Sequence, residues 1–145
     1  MASWREIEQA EPEFMATVRA CFGIRKHCTM ATLRRDGSPR ISGTEVQFED
    51  GELRIGSMPN AVKARDLQRD PRIALHSPTV DPPEADPAKW QGEAKIAGRA
   101  IEENTEGASH SFRIEITEVV WTRVRAGLEI TSWHPDRGLE TRTRN

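Results

Sequence analysis

The residues with the clearest chemical potential fall between Arg40 and Lys63. An extended run ends at Ile55-Gly56-Ser57, and a helical run opens at Asn60 with Lys63 in its first turn. Unpaired backbone N–H groups and the positive end of a helix dipole favour an anion at such a junction. Gly56 lets a ligand come close to the backbone. Ser57 and Asn60 add short hydrogen-bonding side chains, and Lys63 adds a charge suited to phosphate. Arg40, on the strand before, stands where it could pair with the same anion. The same residues also fit an ordinary role, with Ser57 and Asn60 as helix caps and Lys63 and Arg40 as solvated charges. Spacing alone leaves both readings open.

Other polar groups offer less. His27-Cys28 stands at a strand start without partners for metal or redox work, and reads as a buried thiol beside a surface imidazole. His76 and His110 are isolated and belong to no metal-ligand spacing. Glu102, Glu103 and Glu106 read as a solvated turn. Arg123, Arg125, Arg137, Arg142 and Arg144 make a basic edge without interleaved aromatics in the tail, a poor match to nucleic-acid binding. Two cysteines, Cys21 and Cys28, are too few for a disulfide framework. No nucleophile, base and orienter set is visible, so the sequence assigns no catalytic residue and no metal ligand.

The elements that must position these residues follow from periodicity. Glu11 to Phe22 carries Phe14, Met15, Val18, Cys21 and Phe22 at helical spacing, with Pro12 near the start and Gly23 as the stop. Cys28 to Leu33 predicts a strand, and Arg35-Asp36-Gly37-Ser38-Pro39 a hairpin turn. A second strand is expected from Arg40 to Phe48, a turn at Glu49-Asp50-Gly51-Glu52, and a third strand from Leu53 to about Ser57. The helix from Asn60 should end at Asp70-Pro71, because proline disfavours helix in the residue before it. Arg72 to His76 is a short strand. Ser77 to Ala88 holds four of the nine prolines and must be loop. Trp90 to Glu102, Phe112 to Val120, Trp121 to Val124 and Leu128 to Trp133 read as strands. The polar tail Arg137 to Asn145 is expected to fray.

The chain has 145 residues, 36% of them hydrophobic and 30% charged. That length suits one core, so residues 1–145 read as a single domain: a helix at about 11–22, a barrel over about 25–134 and a polar tail at 135–145. A formal net charge of −2 gives no general attraction to nucleic acid or an acidic membrane face. The first residues lack a basic stretch followed by an apolar run, and no apolar stretch reaches the roughly 18 residues of a membrane span. A cytoplasmic location is the expectation. Short strands joined by hairpin turns predict a mainly β fold, an antiparallel barrel with flanking helices.

Taken in order, several segments resemble the pyridoxamine 5′-phosphate oxidase-like family of split β-barrels, which bind a flavin or deazaflavin. They are Pro39-Arg40-Ile41-Ser42-Gly43, Ile55-Gly56-Ser57, Asn60-Ala61-Val62-Lys63-Ala64-Arg65-Asp66-Leu67 and Asp70-Pro71-Arg72-Ile73-Ala74-Leu75. Trp90 to Ala100, Trp121-Thr122-Arg123 and Leu128 to Trp133 continue the likeness, which runs from about Ile24 to Trp133. The resemblance implies a cofactor phosphate held by Lys63 with Ser57, Asn60 and Arg40, near Gly56. It places Ile41, Ser42 and Gly43 beside the ring. It also implies a homodimer with the cofactor in the cleft between subunits, where Trp90 either walls the partner's cofactor or is simply a packed aromatic. FMN is the first expectation and the deazaflavin coenzyme F-420 the alternative, since the short, Arg-rich chain looks like the actinobacterial branch. The implied activity is hydride transfer between cofactor and a small organic substrate, chemistry that the cofactor carries. A non-catalytic cofactor-binding or storage protein is the rival. Departures from the family pattern point away from vitamin B6 oxidation. Val62-Lys63 replaces the usual Arg-Lys pair, and the spacing of His134 and Arg137 differs from the family's substrate motif. Asn104 to Ser109 leaves little room for the family's helix between the last strands.

Overall fold

The computed structural model describes residues 1–103 and 107–145. Two helices open the chain, α1 (Trp4–Ala10) and α2 (Pro12–Phe22). Ser3 and Glu6 form a reciprocal capping box that starts α1, a signal absent from the periodicity reading of this end. Glu11 leaves helical geometry, at φ −136° and ψ 69°, because Pro12 follows it, which divides the two helices. Strands β1 (Cys28–Leu33), β2 (Pro39–Thr44), β3 (Val46–Glu49) and β4 (Glu52–Ser57) lead to α3 (Val62–Arg69). After it come β5 (Arg72–His76), β6 (Glu93–Glu103), β7 (His110–Val124), β8 (Leu128–His134) and β9 (Gly138–Arg144). Glu106 and the start of the Asn104 to Ser109 segment lie outside the described residues.

The strands are antiparallel in the order β2-β1-β5-β6-β7-β4-β3. The two ends of that path are joined in the chain by one residue, Glu45. Thr44 lies opposite Cys28 of β1, whereas Val46 lies opposite Ile55 of β4. The run expected as one strand from Arg40 to Phe48 is therefore two, and its bend closes the sheet into a barrel. On β7, the edge opposite β6 carries β4 at its start and β8 at its end, so the sheet splits there. Met30, Leu53, Ile55, Ile96, Ile114 and Val119 are among the interior side chains, and Trp4, Met15 and Val18 close over them from the helices. Among the described residues no helix is long and apolar enough to cross a membrane.

Two further differences from the sequence reading have local causes. The expected pair of strands around Val120-Trp121 is one strand of 15 residues. Its buried positions run Phe112, Ile114, Ile116 and then shift phase to Val119, because Thr117 bulges where the register slips opposite Ala97 and Gly98. Thr117 Oγ1 donates to the Ala97 carbonyl at 3.2 Å, which holds the bulge. The tail does not fray: Gly138, at φ +68°, turns the chain back, and Leu139 to Arg144 pairs with β8 through the Thr131–Thr141 register. Its exposed, alternating Thr and Arg side chains make a polar edge strand that hydrophobic patterning cannot reveal.

The position of α3 is set by one buried carboxylate. Asp66, 2% exposed, accepts from Arg40 Nε at 2.7 Å, Thr32 Oγ1 at 2.8 Å and Arg69 Nη2 at 2.9 Å. Arg69 Nη2 also donates to the Leu33 carbonyl at 2.9 Å. The helix is thereby tied to both β1 and β2. Burial alone would raise the Asp66 carboxyl, but the donors outweigh it and hold it below the usual aspartate range.

Three outcomes are expected. A Cβ on Gly98 would run into the Glu115 carbonyl, so Gly98→Ala should cost about 1–3 kcal/mol in chemical denaturation. Gly23→Ala, where a Cβ meets only 3.6 Å contacts, should be close to neutral by the same measurement. Asp66 is depressed in the folded state, so its contribution is complete above the unfolded aspartate range and is lost as pH falls through its lower folded value. Asp66→Asn should destabilise the protein at neutral pH and flatten the acid limb of the stability profile, measured by denaturant melts between pH 2 and pH 7 (about the aspartate titration window).

Candidate functional site

Where β4 ends and β2 bends away, a cavity of about 760 Å³ opens between Gly43 and Thr44 on one side and Gly56, Ser57 and Met58 on the other. Lys63, from the first turn of α3, and His110, at the start of β7, complete its wall. The volume lies within the range of small-ligand sites. Cβ atoms at Gly43 and Gly56 would meet no closer neighbour than 3.7 Å, so both positions leave bare backbone facing free space. The Ser57 Oγ is buried without a hydrogen-bond partner, an uncommon condition that a ligand oxygen would relieve. Lys63 Nζ donates to the Gly43 carbonyl at 2.9 Å, and among the described residues no carboxylate forms an ion pair with it.

The connector between β4 and α3 is held by a different set of contacts. Asn60 adopts φ +60°, a left-handed conformation that asparagine tolerates, and Ala61 rather than Asn60 is the N-cap. The Asn60 side chain instead accepts from Arg65 Nη2. Its backbone N–H donates to His110 Nε2 at 3.3 Å. For that nitrogen to accept, His110 carries its proton on Nδ1 and donates to Glu102 Oε2 at 2.9 Å. Gln68 Nε2 donates to both Glu102 oxygens at 3.1 Å. The hydrogen bond from His110 is the main cause holding the Glu102 carboxyl below its usual range.

The structure thus brings Gly56, Ser57 and Lys63 around one cavity, with Asn60 in the connector beside it. The other expected site residues do not line this cavity. Arg40 turns to Asp66 rather than toward Lys63; it shares a face of β2 with Ser42 and Thr44, with Ile41 and Gly43 on the other, and the Asp66 carboxylate claims its guanidinium. Ser42 is half-buried. Ile41, 75% exposed, sits on the barrel's outer face over a hollow with Ala31, Ala74 and Leu75. Trp90 Nε1 donates to the Val80 carbonyl at 2.8 Å and pins the proline-rich loop.

His110, Glu102 and Gln68 escape sequence reasoning because they converge from β7, β6 and α3. In the structure His110 stands in register with Ser57 across β4 and β7. His27 is exposed and faces Glu45 at 3.3 Å, while Cys28 is buried, as their order suggests. Burial pushes both Cys21 and Cys28 up to about 11. His134 Nε2 meets Glu118 Oε2 at 2.7 Å, and Arg137 Nη2 donates to His134 Nδ1 at 2.8 Å. Among the described residues no group of three His, Cys, Asp or Glu could hold a metal ion.

A buried hydroxyl without a partner, a lysine without a carboxylate and two bare glycines suit a phosphate-bearing ligand. Comparison with solved structures supports the fold. PhzG from Burkholderia lata, solved with tetrahydrophenazine-1-carboxylic acid, gives a TM-score of 0.67 at 11% identity, over 94% of this chain and 91% of that one. A pyridoxamine 5′-phosphate oxidase-related FMN-binding protein from Nostoc punctiforme gives 0.65 at 9% identity, over 93% and 96%. An F420 reductase gives 0.53 at 14% identity, over 70% and 94%. The comparison with curated proteins finds no match. The family pattern described as pyridoxamine 5′-phosphate oxidase matches residues 14–123, which takes in every strand from β1 to β6, α3 and nearly all of β7. With the barrel closed by the bend at Glu45 and its cavity at the start of α3, the chain belongs to the pyridoxamine 5′-phosphate oxidase family.

Proposed function

We propose that the protein is a cofactor-dependent oxidoreductase that takes FMN, or alternatively the deazaflavin F-420, and transfers hydride to or from a small organic substrate. The observation that carries this reading is the buried, unpartnered Ser57 Oγ beside Lys63. A Nostoc relative that binds FMN and a related F420 reductase share the fold, which supports both cofactors. In this reading Lys63 and Ser57 hold the phosphate, and Gly43 and Gly56 let the cofactor lie against the backbone. His110 Nε2 keeps the Asn60 N–H in place, so the connector between β4 and α3 is set before the ligand arrives. The bound ring supplies two-electron chemistry, while the chain binds and orients it.

The protein acts as a homodimer in the same proposal. Ile41, Met58 and Val62 are exposed apolar side chains on β2 and around the start of α3, at 75%, 78% and 55% exposure. A second copy would cover part of this apolar surface, and the resemblance to the family places Trp90 as a wall of the cleft between the two subunits. The substrate remains a small organic molecule, and a location in the cytoplasm suits a chain of this composition.

Three substitutions and two assays test the proposal. Lys63→Ala should weaken FMN binding by about 1.5–3 kcal/mol in a fluorescence titration, the scale of a charge-assisted hydrogen bond. Ser57→Ala should weaken FMN binding as well, yet raise the melting temperature of the cofactor-free protein, because it removes a buried hydroxyl that nothing satisfies. Ile41→Glu should convert a dimer to a monomer in sedimentation analysis. Parallel titration with F-420 decides between the cofactors. Cofactor binding without turnover, across a panel of substrates with reduced cofactor, would favour a storage protein.

A further inference from the structure

On the other side of the first turn of α3 lies a second hollow, of about 450 Å³, lined by Arg34, Arg35, Arg40, Arg65 and Arg69 against Asp36 and Asp66. We propose that this hollow is a second anion-binding site, distinct from the Lys63 cavity, for a compact group carrying two or more negative charges, either phosphoryl or clustered carboxylate. The charge count makes the case. Five guanidinium groups face two carboxylates in a chain whose formal net charge is −2, so the excess is local.

Neither carboxylate relieves it fully. Asp66 is shared by Arg40 and Arg69 on the floor of the hollow. Asp36 is spent on its own turn, accepting from the Ser38 N–H at 2.9 Å and Ser38 Oγ at 2.6 Å. Among the described residues, Arg34, Arg35 and Arg65 are in ion-pair contact with no carboxylate. Arg65 uses Nη1 and Nη2 on the neutral side chains of Gln68 and Asn60. The positive end of α3, where Val62 forms part of the lining, adds to the same field. Planar guanidinium forks approaching from the β1–β2 hairpin and from α3 match the paired oxygens of phosphate or carboxylate better than a lone lysine does. Asp66 also gives the hollow a fixed floor, since it locks Arg40 and Arg69 before any ligand binds.

Calorimetric titration of the full-length protein with inorganic pyrophosphate and with citrate, at low ionic strength, tests this. Two classes of site are expected for at least one of the two probes. Lys63→Ala should leave the second class intact, whereas Arg34→Gln/Arg35→Gln should weaken it by roughly tenfold or more. Binding of pyrophosphate alone would assign phosphoryl chemistry, and binding of citrate as well would assign clustered oxyanions in general. Arginine Nε–H resonances of the unsubstituted protein provide a check independent of folding: those of Arg34 and Arg35 should shift on titration. A single site lost in Lys63→Ala and unchanged in the double variant, or arginine signals that do not move, would overturn the proposal.

Discussion

A carboxylate taken out of water is costly unless donors surround it, and Asp66 meets that condition with groups drawn from β1, β2 and α3 itself. The contact does more than offset burial. It fixes how the helix sits on the strands, and Lys63 lies three residues before Asp66, about one turn away. The ammonium is thereby carried over the Gly43 carbonyl, and the connector from Ser57 to Ala61 has little freedom left. Removal of this one charge would leave two arginines without a shared partner and the helix without its register on the sheet.

The same economy appears in the barrel's closure. Glu45 is the single residue at which the chain ends its pairing with β1 and begins its pairing with β4, and Gly43, Thr44 and Glu45 also line the cavity. Closing the sheet and opening the site are thus one event in the backbone. The split along β7 has a related effect. It places His110 at the barrel end of the long strand, next to Ser57, while the far end of that strand supports β8 and β9.

Much of this was legible from residue types alone, and the exceptions have physical reasons. The hairpin at Asp50-Gly51, the helix ending before Pro71 and the alternation of β4 are local, so local chemistry reveals them. The meeting of Gly56, Ser57 and Lys63 is also nearly local, since one strand end and one helix start bring them together. Arg40 was less legible. Its strand position is readable, but its choice of Asp66 over the Lys63 cavity depends on which face of β2 the helix covers. The His110–Glu102 pair depends on register between β6 and β7, which shifts at a bulge that sequence shows only as a break in phase. Strand β9 was hidden for the opposite reason: it buries almost nothing, so nothing apolar marks it.

The two cysteines carry a last consequence. With both sulfhydryls pushed to about 11, only roughly one molecule in ten thousand would present a nucleophilic sulfur at neutral pH. Neither is poised to capture an electrophilic substrate or to exchange with glutathione. In the oxidoreductase proposed above, the two-electron step would fall to the bound cofactor, and neither thiol would take part in it.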